Sequence, residues 1–402
     1  MLTLEGKYCT AKIFTENIDQ ESINQILKLC NNLAAENSNL AIMPDVHVAK
    51  NCTIGTTMTV KDKIIPNLIG VDIGCGVRVE PIKVVKGLDW INEFDKKLRV
   101  TIPSGFSLRK KVHKFIKEVP LYELRCPVID FARAEFSMGT LGEGNHYIEV
   151  SYDELGRYYL TIHSGSRNLG SDVAKYYQNL AYELLKKSNS QYTKKLKQSI
   201  QHLPKSDTPN LRQQNYHILK EFAYLDGEFM ENYLHDMEIA TEFAYWNRKA
   251  IAYDIIKALR GRVSFATEED GYEAFDTVHN YIDIKTKILR KGAVSAQAGE
   301  LLIIPINMRD GSILAIGKGN PKWNFSAPHG AGRSINRITS KNTITLSMFK
   351  KSMKGIHSTS ICSSTIDESC FAYKNIDEII NNIQDSVDII RIIKPIYNFK
   401  AI

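Results

Sequence analysis

Residues of the types that bind metal ions occur in this chain singly or in close pairs, each inside its own short motif and all but one of these glycine-rich, and the motifs are scattered from residue 69 to residue 333. Asp72 and Cys75 lie in IGVDIGCG (69–76), His146 in LGEGNHYIEV (141–150), His163 in IHSGSRNLG (162–170), His279 in VHN (278–280) and His329 in SAPHGAGR (326–333). A carboxylate, a thiolate and several imidazoles so far apart meet only if most of the chain folds around them. Nitrogen, sulfur and oxygen ligands together suit a transition metal better than calcium or magnesium. The first expectation is a metalloenzyme with one composite site.

The hydrophobic pattern says what kind of fold brings them together. Residues 39–80 are short apolar runs punctuated by glycine (Ile42–Met43, Thr53–Val60, Leu68–Val79), and 145–164 alternate similarly, so both read as strands joined by tight turns. Between Ser171 and Arg260 the period changes. Phe229, Tyr233, Met237, Ala240, Ala244, Ile251 and Ile255 fall near one helical face, Ala174–Lys187 is helical too, and polar Asn189–Asn210 reads as a loop or mobile arm. Strand patterns return at Ala293–Ile304 and Ser312–Ile316, and Ile376–Ile383 reads as a late helix. Ligand candidates on both sides of the helical block imply a single large α+β domain of mixed sheets over residues 1–402, with a helical insertion at about 171–260.

Composition bounds the function. A 43% hydrophobic content over 402 residues is ample for a large core. The start, MLTLEGKYCT, lacks a basic n-region followed by an apolar h-region, and no stretch approaches the ~20 apolar residues of a membrane span, so the cytoplasm is expected. The seven cysteines include no Cys-x-x-Cys pair, which points to reduced thiols with at most one as a ligand. A net charge of +7 permits an anionic partner such as nucleic acid without establishing one.

Each motif has a chemical and a bland reading. Asp72 and Cys75, three apart in a glycine-flanked turn, can converge on one ion, and a thiolate can bridge two; the alternative is a small buried cysteine in a tight turn. In LGEGNHYIEV, His146 and Ile148 share one strand parity and Asn145, Tyr147 and Glu149 the other, so one face can reach metal and the other a ligand; otherwise His146 is a turn histidine and Glu149 faces solvent. Ser164, Ser166 and Arg167 beside His163 read as an oxyanion cradle. Glycine and alanine around His329 admit a bulky substrate. No Walker A loop or G-x-G-x-x-G fingerprint is present, and GKGNP (317–321) lacks the spacing. His113, His202, His217, His235 and His357 lack such contexts and are expected to be surface or structural.

Together these motifs resemble the RtcB family of RNA-splicing ligases, GTP-dependent enzymes that join RNA 3′-phosphates to 5′-hydroxyls. The likeness runs collinearly from MPDVH (43–47) through IGVDIGCG, LGEGNHYIEV, HSGSR, FAYWNR (243–248), VHN, RKGA (290–293), IPINM (304–308), GKGN, SAPHGAGR and ESCFAYK (368–374) to Lys400. The resemblance implies two manganese ions sharing Cys75, one also held by Asp72 and His146 and the other by His163 and His279. It implies that His329 is guanylylated by GTP, that Asp45 orients it, and that Arg167 lies near the RNA phosphate. Nucleotide contacts implied in the same way are Asn145, His146, Glu149, His279, Asn280, Pro305 to Met308, Ser312, His329, Gly330, Ala331, Gly332, Tyr373 and Lys400.

The chain departs from the family pattern at Val48–Ala49–Lys50 after MPDVH, at Ile306–Asn307 where Gly-Ser is common, at Cys370 in place of a proline, and at its end, Lys400–Ala401–Ile402, where the last two residues read as an extension. Two rival readings stand beside the ligase: a metal-dependent phosphoesterase or nuclease acting on RNA, which needs no covalent histidine, and a non-catalytic RNA-binding module. The physiological RNA and the oligomeric state stay open, and a monomer is compatible with the sequence.

Overall fold

The computed structural model describes residues 1–85, 90–199, 220–267 and 273–401. One sheet has six strands in the order β1 (Leu2–Glu5), β2 (Thr10–Ile13), β3 (Leu40–His47), β4 (Ile54–Thr59), β13 (Ile288–Lys291) and β12 (Asn280–Asp283), with β2 and β3 parallel. The second runs β10 (Val263–Phe265), β6 (Gly76–Val84), β8 (Tyr158–Ser164), β7 (Tyr147–Tyr152), β18 (Val387–Lys400), β16 (Gly311–Gly317) and β15 (Leu301–Asn307), and β11 (Phe275–Val278) also pairs with β6. Two small ribbons complete the strands: β5 (Lys63–Ile64) with β9 (Leu225–Asp226), and β14 (Ala293–Ser295) with β17 (Ser326–Pro328). The domain is α+β, as the alternation of periods predicts.

Burial explains the strands. All of β3 but its last residue is buried, which is why LAIMPDVH is a nearly continuous apolar run. β18 was not legible as a strand because Arg391, Lys394 and Pro395 interrupt its apolar residues. Its first half pairs with β16 and its second with β7, and the register shift between Pro395 and Tyr397 accommodates a proline that cannot donate to the ladder. The fold thereby carries Asn398 and Lys400 alongside Glu149 and Tyr147.

The helix Gly227–Ala258 is the central element. Tyr233, Met237 and Ala240 pack in the core beneath the six-stranded sheet, and Ile251, Ala252 and Ile255 pack in the core beneath the larger one. A helix that feeds two cores cannot be a simple amphipath. Phe229, placed by sequence on its apolar face, is 40% exposed.

Two expectations need correction, and the one for His113 holds. The helix Arg167–Ser199 begins before the expected block and runs through the first part of Asn189–Asn210, because lysine, leucine and glutamine favour helix; the rest of that stretch with His202, and likewise His217, lies outside the described residues. Leu68–Val79 is not one strand: Pro66 starts a helical turn, Pro66–Ile69, and β6 begins only at Gly76. His113 is structural, buried with Nε2 3.6 Å from Asp254. Among the described residues no helix is long and apolar enough to cross a membrane.

Candidate active site

The second sheet gathers the ligand types at one end. Val77 of β6 and Tyr147 of β7 both pair with His163 of β8, so Cys75, His146 and His163 stand side by side just past or at the strand ends. VHN joins them because the His279 N–H donates to the Cys75 carbonyl at 2.9 Å and the Gly74 N–H to the Asn280 carbonyl at 2.8 Å. Cys75 Sγ lies 3.2 Å from His163 Nε2 and 3.4 Å from His146 Nε2. His146 Nε2 is 3.3 Å from Asp72 Oδ2, and His163 Nε2 is 3.3 Å from His279 Nε2. Cys75, His146 and His163 form a group able to hold one ion, and Asp72 and His279 flank it.

Two residues of FAYWNR hold the ligand loops, and sequence reasoning gave neither a role. Arg248, fully buried, donates from Nη1 to the carbonyls of Gly74 and Ser164, at 2.8 Å each, and pairs with Asp276. Asn247 accepts from the N–H of Gly139 and donates to the Gly165 carbonyl. Gly74 has φ 73°, and a Cβ there would sit 2.8 Å from Thr241 Cα of the same helix; a Cβ at Gly165 would sit 2.2 Å from Asp72 Oδ1. These glycines let the loops approach the helix and each other.

The donor chemistry fits a metal. Burial pushes the His163 and His279 imidazoles well below their ordinary range, leaving them neutral with free lone pairs. Burial, then the charge of Asp72, pushes the Cys75 thiol well up, so its thiolate form needs a cation beside it. Arms of about 2.3 Å to sulfur and 2.1 Å to nitrogen at a tetrahedral angle put two ligands about 3.6 Å apart, close to the observed separations.

His329 stands next to this group, its ring centroid 4.9 Å from that of His279. Its Nδ1 is 2.6 Å from Oδ2 of the fully buried Asp45. Asp45 only accepts, so Nδ1 carries the proton and Nε2 keeps its lone pair. A Cβ at Gly332 would lie 2.2 Å from the Asp45 carbonyl oxygen and one at Gly55 2.9 Å from Asp45 Oδ1, so glycine here permits close packing around Asp45 as well as access to His329.

A cavity of about 790 Å³ opens in front of His329. Its wall includes Asn145, Glu149, His163, His279, Pro305 to Met308, Ser312, His329 to Gly332, Tyr373 and Lys400, while Asp45, Asp72, Cys75, His146, Arg167 and Asn280 lie outside the lining. Asn280 is occupied structurally, its Oδ1 accepting from the Gly292 N–H at 3.0 Å. Glu149 does not face solvent: it accepts from Ser151 at 2.7 Å and Asn398 at 2.8 Å, and burial pushes its carboxyl up to about 7 against those bonds.

The far wall centres on Glu368, which sequence reasoning quoted in ESCFAYK without a role. Its Oε2 accepts from Lys400 at 2.6 Å and Tyr373 at 2.7 Å, and its Oε1 from Arg333 at 2.8 Å and Arg337 at 2.6 Å. Burial acts to raise this carboxyl, and Lys400, Arg337 and Arg333 override it, holding it at about 2. The four-residue spacing of Arg333 and Arg337 was the available signal. Ala401 is buried rather than a loose end, and Ile402 lies outside the described residues.

The oxyanion cradle is not formed by its serines. Ser164 Oγ donates to the Leu141 carbonyl at 2.8 Å and Ser166 Oγ to the Ile73 carbonyl at 2.5 Å, so both hydroxyls are spent holding loops. Arg167 starts its helix at φ 56°, a strained value for a residue with a side chain. Its Nε donates to Thr140 Oγ1 at 3.0 Å and its Nη2 to the Gly105 carbonyl at 2.8 Å.

A family model described as "tRNA-splicing ligase RtcB" matches residues 27–124 and 127–401. The chain is 28% identical to an RNA-splicing ligase RtcB1 and 27% identical to an RNA-splicing ligase RtcB from two strains of Escherichia coli, in each case over 90% of both chains. It is 26% identical to the tRNA-splicing ligase RtcB of Nanoarchaeum equitans over 85% of this chain and 83% of the relative.

Proposed function

The chain belongs to the RtcB family, and from that premise we propose that it is a GTP- and manganese-dependent RNA ligase of the cytoplasm, joining RNA 3′-phosphate or 2′,3′-cyclic phosphate ends to 5′-hydroxyl ends in RNA repair or tRNA splicing. The observation that carries the reading is the His329–Asp45 pair at 2.6 Å on the wall of a cavity, next to a cluster of ligand-type side chains. A metal-dependent phosphoesterase or nuclease needs no covalent histidine, so protein-bound guanylate separates the two readings.

His329 Nε2 attacks the α-phosphorus of GTP, forming a P–N bond as the bond to pyrophosphate breaks. Asp45 keeps the proton on Nδ1 and stabilises the positive charge that develops on the ring. The guanylate then passes to an oxygen of the RNA 3′-phosphate, which restores the imidazole. The 5′-hydroxyl attacks the activated 3′-phosphorus, and GMP leaves as the phosphodiester forms. A cyclic end is first hydrolysed to the 3′-phosphate, water adding at phosphorus as the bond to O2′ breaks.

Asp72, Cys75 and His146 would hold one manganese ion, and Cys75, His163 and His279 the other, supplying Lewis-acid neutralisation of phosphate charge. Glu368, Tyr373 and Lys400 bind the nucleotide base, with Asn145, Glu149, Pro305 to Met308, Ser312 and Gly330 to Gly332 shaping the rest of its cavity. Arg167, fixed by Gly105 and Thr140, meets the RNA phosphate.

The deciding experiment incubates the protein with α-labelled GTP and manganese. Label should become bound to protein through an acid-labile, alkali-stable bond, and ligation of defined RNA ends should require both additions. Absence of protein-bound label together with hydrolysis of RNA would favour the phosphoesterase reading.

A further inference from the structure

The proposed reaction leaves unused a basic and aromatic surface on the Arg167 side of the site. Arg109, Lys110, Lys111, Lys114 and Lys117 follow one another with no acidic residue among them, and Lys110, Lys111, Lys114 and Lys117 are exposed. Beside this segment, the Gly227–Ala258 helix presents Tyr245, Lys249, Tyr253 and Lys257 four residues apart, so aromatic and basic side chains alternate along one face. Phe115 bridges the two elements, its ring centroid 5.3 Å from Trp246 and 5.6 Å from Tyr253.

Lys114 and Lys249 are held against rings rather than against acids. Lys114 Nζ lies 3.9 Å from the centroid of Tyr253 and Lys249 Nζ 4.5 Å from that of Trp246. Among the described residues, no ion pair is formed by Lys110, Lys111, Lys114, Lys117, Lys249 or Lys257. The neighbouring Asp254 is taken up by Arg109 at 2.8 Å and His113. The surface therefore keeps its positive charge.

A strap of chain joins this surface to the site. The Gly105 N–H donates to the Gly142 carbonyl at 2.8 Å, the Leu141 N–H to that of Pro103 at 2.9 Å, and the Arg109 N–H to that of Phe136 at 3.0 Å. Gly142 touches both His146 and Arg167, since a Cβ there would fall 2.5 Å from His146 Nδ1 and 2.0 Å from Arg167 Nη1. Gly105 is the acceptor of Arg167, and Phe106 beside it is 77% exposed. Lys111 lies six positions after Gly105, so the basic segment comes within about 20 Å of the Arg167 contact.

We infer that this surface docks the unpaired RNA that runs on from the end being joined, with the lysines on its phosphates and Phe106 and the helix rings on its bases. The choice of RNA as ligand rests on the ligase reading; the choice of surface rests on charge and continuity with Arg167. Alternating phosphate and base is the chemistry that an alternating basic and aromatic surface fits, and unpaired bases offer faces that a duplex hides. A lipid surface would want contiguous apolar area, whereas these rings are separated by lysines.

The test measures binding of fluorescent single-stranded oligoribonucleotides of about 16 and about 4 nucleotides to wild type and to the triple variant Lys110→Ala, Lys111→Ala, Lys114→Ala. The triple variant should bind the longer strand at least about ten-fold more weakly, and the slope of log Kd against log salt should fall by about 2, three phosphates at ~0.7 each. The short strand should bind both proteins alike, transfer of label from GTP to protein should be unchanged, and the corresponding triple arginine variant should bind the longer strand like wild type. Phe106→Ala should weaken the unpaired strand more than a duplex of equal length. An unchanged Kd and salt slope in the triple variant overturns the inference, as does binding of anionic lipid vesicles that depends on these lysines while RNA binding does not. If wild type takes no label from GTP but the RNA results hold, the ligase reading fails and the surface stands.

Discussion

His329 has two ring nitrogens, and the fold commits one of them to Asp45. His329→Ala should lose protein-bound guanylate and ligation of ordinary ends, yet still join RNA carrying a preformed 3′-guanylate cap, because the ligand cluster is intact. Label persisting on that variant would remove His329 as nucleophile. Glu368 gives a pH prediction. Its folded carboxyl is held at about 2 against a reference of 4.5, so its stabilisation is complete above about 4.5 and is lost as pH falls towards 2. The difference is worth on the order of 3 kcal/mol. Glu368→Gln should therefore lower stability at neutral pH and flatten the acid limb of a denaturation profile between those pH values; an acid limb like that of wild type would mean the carboxylate is not held as described. Asp72, Cys75, His146, His163 and His329 were legible as residues because each sits near glycines, and His279 joined them only through its VHN motif. Glu368 was not, since one acid in ESCFAYK carries no mark until Arg333, Arg337 and Lys400 are folded around it.

The helix Gly227–Ala258 decides where the ligand loops stand. Arg248→Met strands Asp276 without its buried partner and frees the carbonyls of Gly74 and Ser164; a loss of about 3–5 kcal/mol is expected from breaking such a pair. Calorimetry should show the lower Tm and titration a weaker affinity for manganese, and unchanged metal affinity would separate Arg248 from the site. Gly74→Ala adds a Cβ 2.8 Å from Thr241 Cα at a positive φ, so it should cost about 1–3 kcal/mol and push the Cys75 loop off the helix. The helix itself was legible from its apolar spacing. Its anchoring role was not, because Asn247 and Arg248 look like ordinary polar positions until both cores bury them. β18 was missed for the opposite reason: a strand that changes partner halfway needs no single alternation of polar and apolar residues.

At the scale of the whole molecule, the proposed metals are a link between distant segments. Two ions sharing Cys75, one on Asp72 and His146 and the other on His163 and His279, would tie β6, β7, β8 and the turn after β11 together, and would bind the folded chain only. Manganese at 100 times its Kd should add about 2.7 kcal/mol per site, seen as a rise in Tm that a chelator reverses. Cys75→Ala should remove most of that rise while leaving the metal-free Tm close to wild type, because a buried thiol is lost without a large cavity. An unchanged metal-induced rise would exclude Cys75 as a shared ligand.

The class of fold, the helical block and the candidate ligand residues were readable in the sequence alone, because periodicity and glycine context are local properties of the chain. The sequence also carried the family, through motifs whose order along the chain is itself information. Folding alone settles that Ser164 and Ser166 hold loops, that Lys400 is locked to Glu368, that Arg248 fixes two ligand loops at once, and that Lys114 meets the Tyr253 ring of a helix more than 120 residues later. Each of those facts is a pairing across the chain, and the energy of a pair depends on a partner and a degree of burial that neither residue's own neighbours specify.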